Sequence, residues 1–172
     1  MMAKGNGIIV SAQPRGVFKE GYIVGTPKPG TVVTLVPGQT APDDTGRWNY
    51  EPAGTTAATS GLADAMAADG DNISIGVLLE NALEGQLMTT AFATGDRVRI
   101  YFPLPGEELN VLFQNQSGTA DDLGIGTALI VDDGTGKVFK TTGTPESEPF
   151  IALEVVTDPT ADQLVWCETT GR

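Results

Sequence analysis

The clearest pattern in the chain is DRVRIYF, Asp96 to Phe102. Val98, Ile100 and Phe102 fall on one face, and Arg97, Arg99 and Tyr101 on the other. That two-residue period is the signature of a strand with one buried side. Similar short apolar runs recur as GIIVSAQ, GYIVG and TVVTLVPG near the N-terminus. Beyond residue 72 come NISIGVLLENA, QLMTTAF, ELNVLFQNQ, GTALIVDD, KVFKTT, FIALEVVTD and QLVWCETT. Each is bounded by Gly, Pro, Asn or Asp, so the pattern predicts many short strands joined by tight turns. Pro14, Pro27, Pro29, Pro37 and Pro42 keep the early strands short, since each proline removes a ladder donor. Only Ser60–Gly70 has helical spacing, with Ser60 as N-cap, Leu62 and Met66 on one face and Gly70 at the end. Residues 38–72 otherwise read as an irregular connection, with Trp48 and Tyr50 as apolar anchors.

A faint internal echo runs between ISIGVLLENALEGQLMTT (73–90) and PFIALEVVTDPTADQLVWCETT (149–170). It is either an old duplication or two hairpins with the same demands, and its length separates neither.

Three turns invite chemical readings. VDDGTGKV, Val131 to Val138, carries Gly136-Lys137, but Val138 stands where a phosphate loop needs Ser or Thr, and Val131 where it needs its first Gly. Read as an EF-hand from Asp132, it puts Gly134 at a ligand position and Lys137 at the sharp turn. What remains is a hairpin, with Asp-Gly and Thr-Gly supplying positive φ. DGDNISIGVLLE, Asp69 to Glu80, has Asp69, Asp71 and Glu80 at calcium-ligand spacing, but Ile73 and Ser74 occupy the ligand and glycine positions. A calcium site of another kind at Asp69 and Asp71 stays open. The acidic pairs Asp43-Asp44, Glu107-Glu108, Asp121-Asp122 and Asp132-Asp133 sit beside Gly, Pro or other turn residues. Glycoside chemistry needs two carboxylates converging on one cleft, and solvated turns fit these pairs better.

Composition sharpens the picture. Gly (22) and Pro (11) are 33 of 172 residues, a turn-rich but globular proportion. There is no histidine, which removes imidazole acid–base chemistry and His-ligated metals. The single Cys167 lies in the apolar run QLVWCETT and reads as a buried thiol. No catalytic role and no cofactor are expected. The N-terminus shows only a short apolar run, Ile8–Val10, too short for a secretory signal, and no run spans a bilayer. The net charge of −12 speaks against nucleic acid as a partner. It is uneven: residues 1–42 carry Lys4, Arg15, Lys19 and Lys28 against Glu20, a net +3, and residues 43–172 carry six basic and 21 acidic residues, a net −15. A basic head on an acidic body is either an arm for an acidic partner or a few solvated lysines.

The Pro/Gly-rich segment AQPRGVFKEGYIVGTPKPGTVV, followed by IGVLLENA, ATGDRVRIYFPLPGEEL, GIGTALIVDDGTGKVFK and IALEVVTD, resembles the capsid decoration, or cement, proteins of tailed bacteriophages. The resemblance implies an all-β fold, a small barrel or tulip-like domain over residues 21–172, with an extended N-terminal arm over 1–20. It implies a homotrimer made in the host cytoplasm, bound through major capsid protein to the capsid exterior of the virion, with no nucleic acid or membrane contact. Carried onto this chain, the capsid contacts would be Ile8, Ile9, Val10, Arg15, Phe18 and Lys19. Tyr22, Trp48 and Tyr50 are the aromatics available for inter-subunit contacts, where aromatics are enriched. Two further readings stand beside it: another phage structural part (tail tube, fibre or head–tail component), and a carbohydrate-binding β-sandwich with a Trp48–Tyr50 platform.

Overall fold

In a computed structural model, the described residues are 8–9, 14–36, 39, 41–53, 75–80, 89–115, 122–132, 134–141, 149–157 and 162–170. They form ten strands: β1 (Val17–Ile23), β2 (Val32–Leu35), β3 (Asn49–Pro52), β4 (Gly76–Leu78), β5 (Arg97–Phe102), β6 (Glu108–Phe113), β7 (Ala128–Val131), β8 (Val138–Lys140), β9 (Phe150–Ala152) and β10 (Gln163–Thr169). The described residues are all-β, and their strands close into two barrels of five. The first runs β1-β3-β2-β4-β5 and the second β6-β8-β7-β9-β10. Closure pairs both edges of most strands, which removes the long free edges that promote aggregation.

The second barrel repeats the first in connectivity and in register. Each ring has one parallel junction, β1–β3 and β6–β8, and four antiparallel ones. Lys19↔Ile100 corresponds to Leu109↔Cys167, and Ile23↔Tyr50 to Phe113↔Val138. Leu35↔Tyr50 corresponds to Val131↔Val138, Val33↔Gly76 to Leu129↔Phe150, and Leu78↔Ile100 to Ala152↔Cys167. One set of equivalences satisfies all five junctions, although the loops between strands differ in length. A single slip would turn a whole strand inside out, so a shared register around both rings marks an internal duplication. The turns before β2 and β7 match too. Gly30 and Gly126 have φ of 86° and 85°, and their amides donate to Leu78 O and Ala152 O, each at 2.8 Å. Only the first half of the echo between 73–90 and 149–170 follows this repeat: β4 is the counterpart of β9, whereas β10 is the counterpart of β5 and not of QLMTT.

Ile23, Val33, Tyr50, Leu78, Val98 and Ile100 fill the first barrel with Phe92. Their equivalents Phe113, Leu129, Val138, Ala152, Val165 and Cys167 fill the second. The larger core is continuous with Val32, Val77 and Tyr101, which lie on the outer face of the first barrel. The barrels lock where the β7–β8 hairpin tip meets β2: Val32 N donates to Gly136 O at 2.8 Å, and Leu112 N to Gly30 O at 2.8 Å. Gly136 has φ of 64°, and a Cβ there would strike Val32 O and come within 2.8 Å of Thr31 Cγ2. The turn over Gly134–Lys137 is thus a hairpin tip that has become a clasp.

Two boundaries differ from the sequence expectation. Val17–Glu20, expected inside an arm ending at residue 20, are the first half of β1 and pair with β5. Asn49–Pro52, expected inside the irregular 38–72 connection, form β3 at the centre of a ring. The reason is that Tyr50 is the one large apolar residue of the segment, set among polar Asn49, the buried acid Glu51 and Pro52, which strands disfavour. The helix expected at 60–70, and Asp69 and Asp71, lie outside the described residues.

Candidate functional site

The outer face of β1 and β5 is where exposed aromatic and cationic side chains gather. The β5 alternation sends Val98 and Ile100 inward and Arg97 and Arg99 outward. Its partner β1 is exposed from Val17 to Glu20, with Val17 55 % and Phe18 46 % accessible. Register places Phe18 beside Tyr101, Glu20 beside Arg99 and Tyr22 beside Arg97. The Phe18 and Tyr101 ring centroids are 4.8 Å apart at 44°. Arg99 lies 5.7 Å over the Phe18 ring, Lys19 5.0 Å over Phe102 and Arg47 4.3 Å over Tyr22, within cation–π range. Arg97 pairs with Glu20. With Arg15, whose guanidinium donates to Pro105 O at 3.2 Å, the outer face and its rim hold four of the chain's ten basic residues, Arg15, Arg47, Arg97 and Arg99. On a protein of net charge −12, this is a concentrated basic patch.

A buried carboxylate anchors the patch from beneath. Glu107 is 2 % exposed and accepts from the Arg15 amide at 2.5 Å, the Leu104 amide at 2.6 Å and the Tyr101 hydroxyl at 2.7 Å. The Gly16 amide donates in turn to the Tyr101 hydroxyl at 2.8 Å. Gly16 has to be glycine here, because a Cβ would come within 2.7 Å of the Tyr101 ring. Burial alone would raise the Glu107 carboxyl, but the donated hydrogen bonds outweigh it and hold the pKa below the ordinary carboxylate range. Burial first, and the neighbouring Glu107 second, push the Tyr101 phenol up to about 12. Glu107 was expected to be a solvated turn acid beside Glu108; the structure corrects this, because these donors replace water around its carboxylate. Glu108 stays near the surface and accepts from Trp166 Nε1 at 3.2 Å.

Asp43 and Asp132 serve turns. Exposed Asp43 accepts from Thr45 Oγ1 at 2.7 Å, Asn49 Nδ2 at 3.1 Å and the Arg47 amide at 2.9 Å. These bonds lower its pKa, that from Thr45 most, and they fix the loop that carries Arg47 over Tyr22. Asp132 accepts from Thr135 Oγ1 at 2.7 Å inside the hairpin tip. Among the described residues no three His, Cys, Asp or Glu side chains form a metal-sized group, and no helix is long and apolar enough to cross a membrane. A cleft of about 330 Å³ lies between the barrels, lined by Lys28, Thr31, Glu51, Lys137 and Asp162 among others. Lys137 pairs with Asp162 at 2.5 Å across its rim, so part of its charge is already satisfied within the chain.

Of the residues singled out from sequence, Phe18 and Tyr22 come together on the outer β1–β5 face, with Arg15 at its rim, whereas Lys19, opposite Ile100, lies on the other side of β1 over Phe102. Ile8 does not join them: it is wholly buried in the core of this chain, and Asn110 N donates to its carbonyl at 2.7 Å. Ile9 bridges Leu109. Val10 lies outside the described residues. Tyr50 is buried inside the first barrel, and Trp48 is partly buried against it, so the two do not form an exposed platform. Sequence reasoning missed Arg97, Arg99 and Arg47 as members of the site. The signal for the first two was their alternation on the polar side of β5, read only as strand patterning.

No family model matches the chain, and no curated protein matches it. Among solved structures, the head fiber gp8.5 N base of bacteriophage phi29 is similar over 90 % of this chain and 94 % of that one, at 12 % identity and a TM-score of 0.48. Likeness at that level assigns no role to any residue.

Proposed function

We propose that this chain is a virion structural protein of a tailed bacteriophage that binds the outer surface of the capsid and stabilises it by holding neighbouring major capsid subunits together. The observation that carries the reading is the β1–β5 face, a basic, aromatic patch on a rigid closed barrel within an otherwise acidic molecule. Such a patch suits recognition of an acidic protein surface. Aromatic side chains and arginine supply the anchors common at the centres of interfaces, and the surrounding cations steer an acidic partner into register. Repetition around a shell multiplies modest single-site affinity through effective concentration. The acidic remainder keeps unassembled chains apart.

Mixing the purified protein with undecorated, expanded capsids and imaging them by electron microscopy tests the proposal. Added density at three-fold or quasi-three-fold positions, lost with Arg99→Glu, is expected. Bare shells would sink the proposal, and density confined to isolated projecting spikes would favour a fibre instead.

A further inference from the structure

We propose that the outer edge of β1, over Val17–Glu20, is a strand-acceptor site that takes an extended, acid-flanked apolar segment of a partner protein as an added β-strand. The proposal deepens the capsid-binding reading by naming the mode of contact, but it stands on the duplication and is tested without capsids.

The template is inside the molecule. β6 is the counterpart of β1, with Leu109 equivalent to Lys19 and Asn110 to Glu20. The edge of β6 facing away from β10 receives an added segment: Asn110 N donates to Ile8 O at 2.7 Å, and Ile9 bridges Leu109 in antiparallel sense. On β1, Tyr22 N donates to Trp48 O at 2.9 Å, away from β5, and Ile23 N donates to Asp96 O at 3.0 Å, toward β5. Strand alternation then points the Glu20 and Phe18 amides away from β5, along the edge that Asn110 uses on β6. β3 pairs only with Tyr22 and Ile23. Among the described residues, nothing pairs with the edge formed by Phe18 and Glu20. One ring therefore shows the edge filled by a strand, and the other shows the same edge open.

Chemistry selects the occupant. The filled edge takes two β-branched apolar residues, and the open one is bordered by Val17 and Phe18, both exposed. Arg15, Lys19, Arg97 and Arg99 surround it, against Glu20 alone on β1. Two copies meeting edge to edge would bring these cations together, so the arrangement disfavours self-pairing. An apolar strand with acidic flanks satisfies both the open ladder and the charge.

The probe is a labelled ten-residue peptide with an Ile-Ile-Val centre and two acidic residues at each end. Saturable binding to the full chain is expected, at least about tenfold tighter than for the same peptide with lysine flanks. On the unmodified chain, bound peptide should slow amide exchange at Phe18 and Glu20 but not at Lys19, whose amide lies in the β5 ladder. Glu20→Pro removes an edge donor without touching that ladder and should weaken binding about tenfold, whereas Glu20→Gln should change it by less than about twofold. Absence of saturable binding, or unchanged exchange at Phe18 and Glu20, overturns the proposal. So does concentration-dependent self-association abolished by Glu20→Pro, which would make a second copy the occupant.

Discussion

Inside, the two barrels solve one packing problem with different parts. Tyr50 and Leu78 in the first ring become the smaller Val138 and Ala152 in the second, while Ile23 and Val33 become the larger Phe113 and Leu129. The losses exceed the gains, and Ile100 becoming Cys167 adds to them, so the equivalent positions of the second ring carry less side-chain volume. Outside, the rings differ in kind. Val32, Val77 and Tyr101 form an apolar outer face on the first barrel that is wholly buried. Their counterparts Ala128, Ile151 and Glu168 include a carboxylate, and Ile151 and Glu168 are only partly covered. A duplicated unit keeps its interior because every position touches several others. Its exterior is free to diverge, so one copy became the seat for the other.

The comparison breaks most sharply at Tyr101. Tyr101→Ala should cost about 4 kcal/mol in urea denaturation, because it empties a buried aromatic site. Its counterpart Glu168→Ala should cost about 0.5 kcal/mol or less. Equal losses would mean that the second barrel is covered as fully as the first.

Next come the paired glycines. Gly30 and Gly126 have nearly the same φ, so alanine strains both alike, by about 1 kcal/mol. At Gly30 the new Cβ would also meet Leu164 Cδ2 at 2.5 Å and Leu112 N at 3.2 Å, whereas at Gly126 it meets nothing. Gly30→Ala should therefore lose about 2 kcal/mol more than Gly126→Ala. That difference isolates the barrel–barrel junction from backbone strain.

Titration sharpens the contrast at the Tyr101–Glu107 pair, which the second ring lacks. The Glu107 carboxyl sits below its ordinary value of 4.5, so its stabilisation is full above that pH and is lost as pH falls through the lower folded value. Tyr101 is raised from 10.0 to about 12, so its contribution is full below pH 10 and is lost as pH rises toward 12. Thermal melts across pH should show both limbs. Glu107→Gln should flatten the acid limb and cost about 2 kcal/mol at neutral pH.

The smallest effect is at the surface. Arg47→Ala should cost about 0.5 kcal/mol and leave amide exchange in β6 to β10 unchanged.

Most strands could be read from the chain because apolar runs between Gly and Pro carry the period directly; β5 is the plainest. β3 could not, since in Asn49-Tyr50-Glu51-Pro52 a polar residue, a buried acid and a proline mask a strand held by ring closure. The duplication stayed faint because unequal loops break any fixed spacing, although GTVVTLV (30–36) and GTALIVD (126–132) mark its matching turns. Of the site, Phe18 and Tyr22 were legible from residue type and N-terminal position, whereas Lys19, just as suggestive, turns to the other side of β1. Ile8 and Tyr50 looked equally available, and only the closed rings show that they are interior. Glu107 was hidden because a Glu-Glu pair after Pro-Gly reads as a wet turn until its donors arrive from residues 15 and 101.

Ile8 is buried against strands that begin a hundred residues later in the chain. During synthesis it must wait for Leu109 and Asn110 to emerge, about 5–20 s at ordinary ribosomal rates. The first barrel likewise reaches the translation exit before Gly136, whose carbonyl completes its β2 hydrogen bonding. The earliest-made half of the molecule thus carries uncovered apolar surface throughout the making of the other half, and the nascent chain, more than the finished protein, is the species in need of chaperoning.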